Sequence, residues 1–224
     1  MNIGLDMMGG DYAPLEAMKG IVEYLKEQPD PAHLFLIGDE NKLSPLFAAH
    51  HIPTSAFTLV PTSQVIEMHE HPTKALKEKQ DSSIAKGFDM LSKGMIDSFI
   101  SAGNTGAMLV GTIFSIKAIE GVIRPTISTI VPRENGKTGL ILDVGINADC
   151  KPEMLNQFAT LGAGYAHYIL EIEKPRVGLI NIGEEEGKGN ILTQAAYPLL
   201  KENKAINFIG NIEGRDILED KADV

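Results

Sequence analysis

The chain has 224 residues, 43% of them hydrophobic and 22% charged, and a formal net charge of −10; this is the make-up of a soluble globular protein with a sizeable core. The acidity, the lack of tryptophan and the low aromatic content of 6% argue against nucleic acid as the main partner, which needs a basic footprint and stacking platforms. Cys150 is the sole cysteine, the opening MNIGLDMMGGDYAP has no basic n-region, and no stretch nears the roughly 18 apolar residues of a membrane span, so the expectation is a reducing, cytoplasmic setting.

In chain order, short apolar runs alternate with helical patterns. Strands are expected at 2–7, 33–38, 57–61, 97–102, 126–131, 138–145, 176–183 and 206–211. Helices are expected at 13–27, about 41–49, 73–93, 105–120, 152–170 and 190–201, the third with a break near Asp81-Ser82-Ser83 and the fifth with Pro152 in its first turn. Strands separated by helices imply crossover units, and continuous apolar strands imply cover on both faces. The fold class is therefore α/β, a largely parallel sheet with helices on both faces. PRENGK between the fifth and sixth strands reads as a hairpin turn with Asn135-Gly136 at its tip, so part of the sheet is expected to be antiparallel. No linker-like or repetitive segment divides residues 1–224, which read as a single domain. The last four residues, KADV, resemble the opening of another buried strand, so the chain reads as a fragment of a longer protein.

Five strand ends share one chemistry: DMMGGD (6–11), SAGNTG (101–106), DVGINADCKPE (143–153), NIGEEEGKGN (181–190) and GNIEGRD (210–216). Ligands of open α/β sheets sit beyond the carboxyl ends of the strands. Glycine permits close backbone approach there, and amides at a helix start attract anions. Gly103, Asn104, Thr105 and Gly106 thus form a candidate phosphate cradle. A single such turn is ordinary turn chemistry; five in one chain point to a ligand. None matches the Walker pattern or G-x-G-x-x-G closely, which weakens a nucleotide or dinucleotide assignment.

Nucleophile and metal motifs are scarce. There is no G-x-S-x-G elbow. Lys151 would lower the pKa of Cys150, but the thiol lacks an evident partner base, so a catalytic role is disfavoured. His69 and His71 in HEHP lack metal-ligand spacing and read as a solvated loop; no metal is implied. Lys74, Lys77 and Lys79 form a basic cluster in an acidic chain, readable as a solvated face or as a docking patch. Lys188, between two glycines, reads as a phosphate ligand or a plain loop lysine.

IGLDMMGGDYAP, KEKQDSS, SAGNTGA, LDVGINADCKPE, PRVGLINIGEEEGKGN and NFIGNIEGRD together resemble, in order and spacing, the bacterial phosphate acyltransferases of phospholipid synthesis (the PlsX family). The resemblance covers essentially the whole chain. It implies a fold like isocitrate and isopropylmalate dehydrogenases, truncated here at the C-terminus, and attack by inorganic phosphate on the thioester of acylated acyl carrier protein. It also implies a homodimer at the inner membrane face, feeding a membrane glycerol-3-phosphate acyltransferase, with no cofactor. Met7 stands where relatives often have alanine, and HEHP differs from them except at Pro72.

On that resemblance, Ser101, Gly103, Asn104, Thr105 and Gly106 are expected to bind phosphate, and Asp6, Gly9, Gly10 and Asp11 to form a facing wall. Asp143, Asn147 and Lys151 are expected to line the cleft, with Lys151 offsetting phosphate charge. Asn181, Glu185, Lys188 and Asn190 belong to a loop that closes over substrate. Asn211, Glu213 and Arg215 lie at the last strand end, Arg215 gripping phosphate bidentately. The catalytic candidates are Asn104, Lys151 and Lys188, and Lys74, Lys77 and Lys79 are expected to dock the carrier protein. Alternatives are a phosphotransacetylase-like enzyme using acyl-coenzyme A and a non-catalytic carrier-binding scaffold. A decarboxylating dehydrogenase is disfavoured, because Arg124, Arg133, Arg176 and Arg215 look poorly clustered for a carboxylate site.

Overall fold

The computed structural model describes residues 1–224, leaving aside the side chain of Thr54. The chain forms two units, Met1–Lys117 and Ala118–Val224.

Unit 1 contains β1 (Asn2–Asp6), α1 (Leu15–Glu27), β2 (His33–Gly38), α2 (Glu40–Ala49), β3 (Phe57–Pro61), α3 (Pro72–Glu78), α4 (Ser83–Ser92), β4 (Ser98–Ile100) and α5 (Thr105–Ser115). Its strands make one parallel sheet in the order β3-β2-β1-β4. The alternation of strand side chains explains the two covered faces. Leu34 and Leu36 of β2 pack with Met18, Ile21, Leu43 and Phe47 from α1 and α2. Ile37 and Phe35 face the other way, onto Met90 and Leu91 of α4. The chain leaves β1 toward β2 on one side, whereas β4 lies against β1 on the other. The order therefore reverses between β1 and β4, a topological switch point where the carboxyl ends of two adjacent strands open a crevice.

Unit 2 begins with the antiparallel hairpin of β5 (Ser128–Pro132) and β6 (Thr138–Leu142), paired from Ser128↔Leu142 to Pro132↔Thr138. After α6 (Pro152–Tyr168), the strands β7 (Arg176–Asn181) and β8 (Asn207–Glu213) pair in parallel across the helix α7 (Ile191–Glu202), and a 3-10 turn follows at Gly214–Leu218. Ala159, Ala163, Ala196 and Leu200 from the two helices bury Val177. The small alanines let the helices lie close to β7. Asp223 and Val224 lie between β6 and β7. Both their amides donate to the Arg176 carbonyl (2.8 and 3.0 Å), the Gly178 amide donates to the Val224 carbonyl (2.9 Å), and the Leu140 amide donates to the Asp223 carbonyl (2.9 Å). Residues 221–224 form no regular strand, but Asp223 and Val224 are held by these bonds and Val224 packs against the unit 2 core. Among the described residues, no helix is long and apolar enough to cross a membrane.

The α/β reading and the element types hold, most element ends shift by one to three residues, and three details are informative. The helix expected over 105–120 ends at Ser115, because Lys117 takes a left-handed conformation (φ 70°) and its amide returns to the Thr112 carbonyl. The break near 81–83 separates α3 from α4, with Ser82 capping α4 through Oγ, which accepts from the Ala85 amide. The hairpin tip is a three-residue loop, since Arg133 and Lys137 are the hydrogen-bonded pair (2.9 Å) and Gly136 supplies the left-handed third position (φ 77°).

Candidate functional site

At the switch point the loops after β1 and β4 are locked together. Asp6 is buried; its Oδ1 accepts from the Met8 amide (2.9 Å) and its Oδ2 from the Ser101 hydroxyl (2.7 Å). Ser101 Oγ in turn accepts from the Gly103 amide (3.0 Å). The two backbones pass so closely that a Cβ on Gly9 would lie 2.5 Å from Asp6 Oδ2 and 2.6 Å from the Gly103 nitrogen. Real Cβ atoms do not come so near, so the pairing requires glycine. Asp6, Gly9, Ser101 and Gly103, named from sequence, are thus brought together. Gly10 lies beside Ala102, and Asp11 is exposed ahead of α1.

Asn104 opens α5. It is 4% exposed, and its Oδ1 caps the helix by accepting from the Ala107 amide (2.9 Å). Its Nδ2 donates to the carbonyls of Glu67, Met68 and Glu70 at 3.1 to 3.2 Å. The side-chain amide is therefore fully engaged in holding the loop before α3, which makes Asn104 a positioning residue. The Met108 amide takes the Asn104 carbonyl. Thr105 and Gly106 occupy the first turn of α5, where amides have no intrahelical acceptor. Those two N–H groups, with the positive end of the helix, are what this loop offers an anion. Pro72, at the start of α3, packs against Gly106.

The lysine cluster splits. Lys74 and Lys77 are exposed, and Lys74 lies 4.0 Å from Glu78. Lys79 turns inward and donates to the Val65 carbonyl (2.6 Å) and Glu70 Oε2 (2.5 Å). That bond holds the Glu70 carboxyl below its usual pKa range. Lys79 is therefore an internal clasp on the loop that Asn104 also holds.

In unit 2, Asp143 organises the turn after β6. Its carboxylate accepts from the Ile127 amide (3.0 Å), the Thr126 hydroxyl (3.2 Å) and the amides of Asn147 (2.7 Å) and Ile146 (3.3 Å). Burial pushes its pKa up, and these hydrogen bonds outweigh burial, so the net shift is downward. Asn147 Nδ2 donates to the Pro125 carbonyl (3.0 Å). Asp143 and Asn147 line a cavity of about 380 Å³ between β6 and β7. Lys151 caps α6 with its side chain exposed. Cys150 departs from expectation: burial and the nearby Asp143 raise its thiol pKa, the reverse of the lowering expected from Lys151 and unsuited to a nucleophile.

The loop over 181–190 is pinned. Asn181 Nδ2 donates to the Lys188 carbonyl (3.0 Å) and Asn211 Oδ1 (3.2 Å), and Asn211 Nδ2 donates to the Glu185 carbonyl (2.8 Å). Gln194 Nε2 holds the carbonyls of Gly187 and Gly189, and Asn190 caps α7. Lys188 is 4.0 Å from Glu185. The arginines also differ from expectation. Arg215 faces Glu213 Oε2 at 2.5 Å, so a carboxylate already occupies the fork proposed for phosphate. Arg133 and Arg176 do converge, on Asp220 and Asp223. Sequence reasoning missed this cluster because its acids lie 44 to 90 positions further along the chain, from Arg176–Asp220 to Arg133–Asp223.

Residues 1–224 match the family described as fatty acid synthesis protein. Among curated relatives, the phosphate acyltransferase of Dictyoglomus turgidum is 46% identical over the whole chain, which spans 66% of its length. Those of Halothermothrix orenii and Syntrophomonas wolfei are 45% and 44% identical, again over the whole chain, which spans 67% and 70% of them. The chain thus spans about two thirds of the length of these relatives. Among solved structures, a branched-chain phosphotransacylase from Enterococcus faecalis V583 shares the fold, with a TM-score of 0.62 at 15% identity over 96% of this chain and 68% of that one. With its full length matched by the family and by relatives at this level of identity, the chain belongs to the phosphate acyltransferase family.

Proposed function

We propose that the chain carries the reaction of a phosphate acyltransferase, with acylated acyl carrier protein as donor and inorganic phosphate as acceptor. A phosphate oxygen forms the new bond to the thioester carbonyl carbon. The tetrahedral intermediate then collapses, the C–S bond breaks, and the thiolate leaves with the electron pair and takes a proton from water. The products are acyl phosphate and free carrier protein. Because phosphate is the nucleophile, the protein's task is to hold a dianion in line with the carbonyl and to stabilise the developing oxyanion with fixed donors.

The observation that carries this reading is the locked loop pair at the β1–β4 switch point. Gly9 and Gly103 pack backbone to backbone beside the open first turn of α5, and Asp6 and Ser101 fix the arrangement from below. In this reading Gly9, Gly10, Thr105 and Gly106 contact phosphate, and Asp6, Ser101, Gly103 and Asn104 position them. Within unit 2, the Asp143–Asn147 turn and the Asn181–Asn211 loop bind substrate, with Lys151 and Lys188 as cations. Lys74 and Lys77 meet the acidic carrier protein, a contact that weakens with salt. Residues 1–224 work as one acyltransferase domain, dimeric and peripheral to the inner membrane face. The acyl phosphate goes to a membrane glycerol-3-phosphate acyltransferase in phospholipid synthesis; the family resemblance supports these last points.

The test is to incubate the purified protein with an acyl carrier thioester and measure free thiol with and without phosphate. The reading expects phosphate-dependent thiol release and a new acyl phosphate resonance in the phosphorus spectrum. Release that ignores phosphate, or none when phosphate is present, contradicts it. Faster turnover of the coenzyme A thioester would favour the phosphotransacetylase-like alternative.

A further inference from the structure

Three consecutive glutamates, Glu184 to Glu186, are exposed in the loop between β7 and α7. Like charges side by side repel one another and any anion that approaches. In the structure each of the three is tied to a different element. Glu184 Oε1 accepts from Lys221 Nζ (2.6 Å). The Glu185 carbonyl accepts from Asn211 Nδ2 of β8 (2.8 Å), and Glu186 Oε2 accepts from Lys201 Nζ of α7 (3.0 Å). The end of the loop is closed as well: a Cβ on Gly189 (φ 96°) would collide with Thr193 Oγ1 and Asn181 Oδ1.

Of these ties, Lys221 has the firmest anchor. Its Nζ also lies 3.0 Å from Asp216 Oδ1, and the Asp216 side chain is 1% exposed. Asp216 Oδ2 accepts from the Glu213 amide at the end of β8 (2.8 Å). The preceding residue, Asp220, is held by Arg133 Nη1 (2.9 Å) and Arg176 Nη2 (2.6 Å). Backbone and ammonium are therefore both fixed where Lys221 meets Glu184. We propose that Lys221 is a positioning residue for acyl transfer: by gripping Glu184 against the buried Asp216, it holds the 181–190 loop as a preformed wall of the substrate site. The proposal rests on the reading above that this loop binds substrate, and it replaces the expected closing lid with a fixed element. A loop ordered in advance loses little entropy when substrate arrives. The Glu184 charge, which would oppose an incoming anion, is neutralised at the same time.

Kinetics of phosphate-dependent thiol release test this, read together with hydrogen exchange at the Lys188 amide, which donates to the Glu185 carbonyl within the loop (3.0 Å). Glu184→Gln removes the exposed end of the tie and leaves Lys221 on Asp216. An exposed pair shifts an equilibrium about threefold. The Lys188 amide should exchange faster by about that factor, and KM for the acyl thioester should rise about as much with kcat unchanged. Lys221→Met should give the same change in KM together with a lower urea midpoint, because Asp216 loses its cation. Lys221→Arg should keep both at wild-type values. Combining Glu184→Gln with Lys221→Met should raise KM no further than Lys221→Met alone. Unchanged exchange in Glu184→Gln would overturn the proposal. Faster exchange with unchanged KM would also overturn it, by reducing the tie to a structural one. Wild-type protein that releases no thiol in response to phosphate removes the substrate reading, and the proposal with it.

Discussion

Asn104 shows how a residue selected for chemistry can act through position. Its place between a strand and a helix, in SAGNTG, was legible in sequence, and so was its capping role. The three carbonyls it holds were not, because Glu67, Met68 and Glu70 lie 34 to 37 positions earlier. Lys79 is a parallel case. A sequence shows it among lysines, and only packing pairs it with Glu70. The Asp6–Ser101 contact, 95 positions apart, was legible only as two strand ends of similar composition. Asn104→Asp keeps the cap acceptor and turns the donor end into an oxygen facing three carbonyls. The expected loss is about 2 to 3 kcal/mol of stability, read as a lower urea midpoint, together with weaker phosphate affinity from charge repulsion. An unchanged midpoint would show that the three carbonyl contacts contribute nothing.

At the scale of elements, hydrophobic periodicity located every strand and every long helix, because burial on one or two faces fixes the period. What periodicity does not see is backbone closure. The left-handed Lys117 ends α5 early, and a third residue widens the β5–β6 turn. Nor does it see how β7 is tied to the end of the chain. Arg176 Nε donates to Asp223 Oδ2 (3.0 Å), Arg133 Nη1 lies 2.9 Å from Asp223 Oδ1, and both arginines reach Asp220. Burial pushes the Asp223 carboxyl up, but hydrogen bonds from Arg176 and Arg133 outweigh it and hold the group at about 2, below its ordinary 3.8. A depressed folded-state pKa gives stability that is present above the unfolded pKa near 4 and is lost as pH falls through about 2. The contribution at neutral pH is about 2 kcal/mol. Asp223→Asn should therefore lower the denaturation midpoint at pH 7, and its gap to the wild type should narrow between pH 4 and pH 2. A gap that is constant over that range would mean that the Asp223 charge is not what ties β7 to residues 220–223.

At the scale of the whole molecule, the α/β class was legible from alternating runs, and the division into two units was not. No proline- or serine-rich linker marks it; the division falls at Lys117–Ala118, just past the end of α5. The switch point in unit 1 also needed the structure, since strand order cannot be read from strand sequence. Order β3-β2-β1-β4 sets the loops after β1 and β4 side by side, and glycine-rich strand ends then acquire a common location. The central claim is that this pair of loops holds inorganic phosphate. Amide ¹H–¹⁵N spectra of the protein titrated with phosphate test it most directly. The expected result is saturable shifts concentrated at Gly9, Gly10, Thr105 and Gly106, reporting one affinity. Shifts that leave those four amides in place while others move would contradict the account.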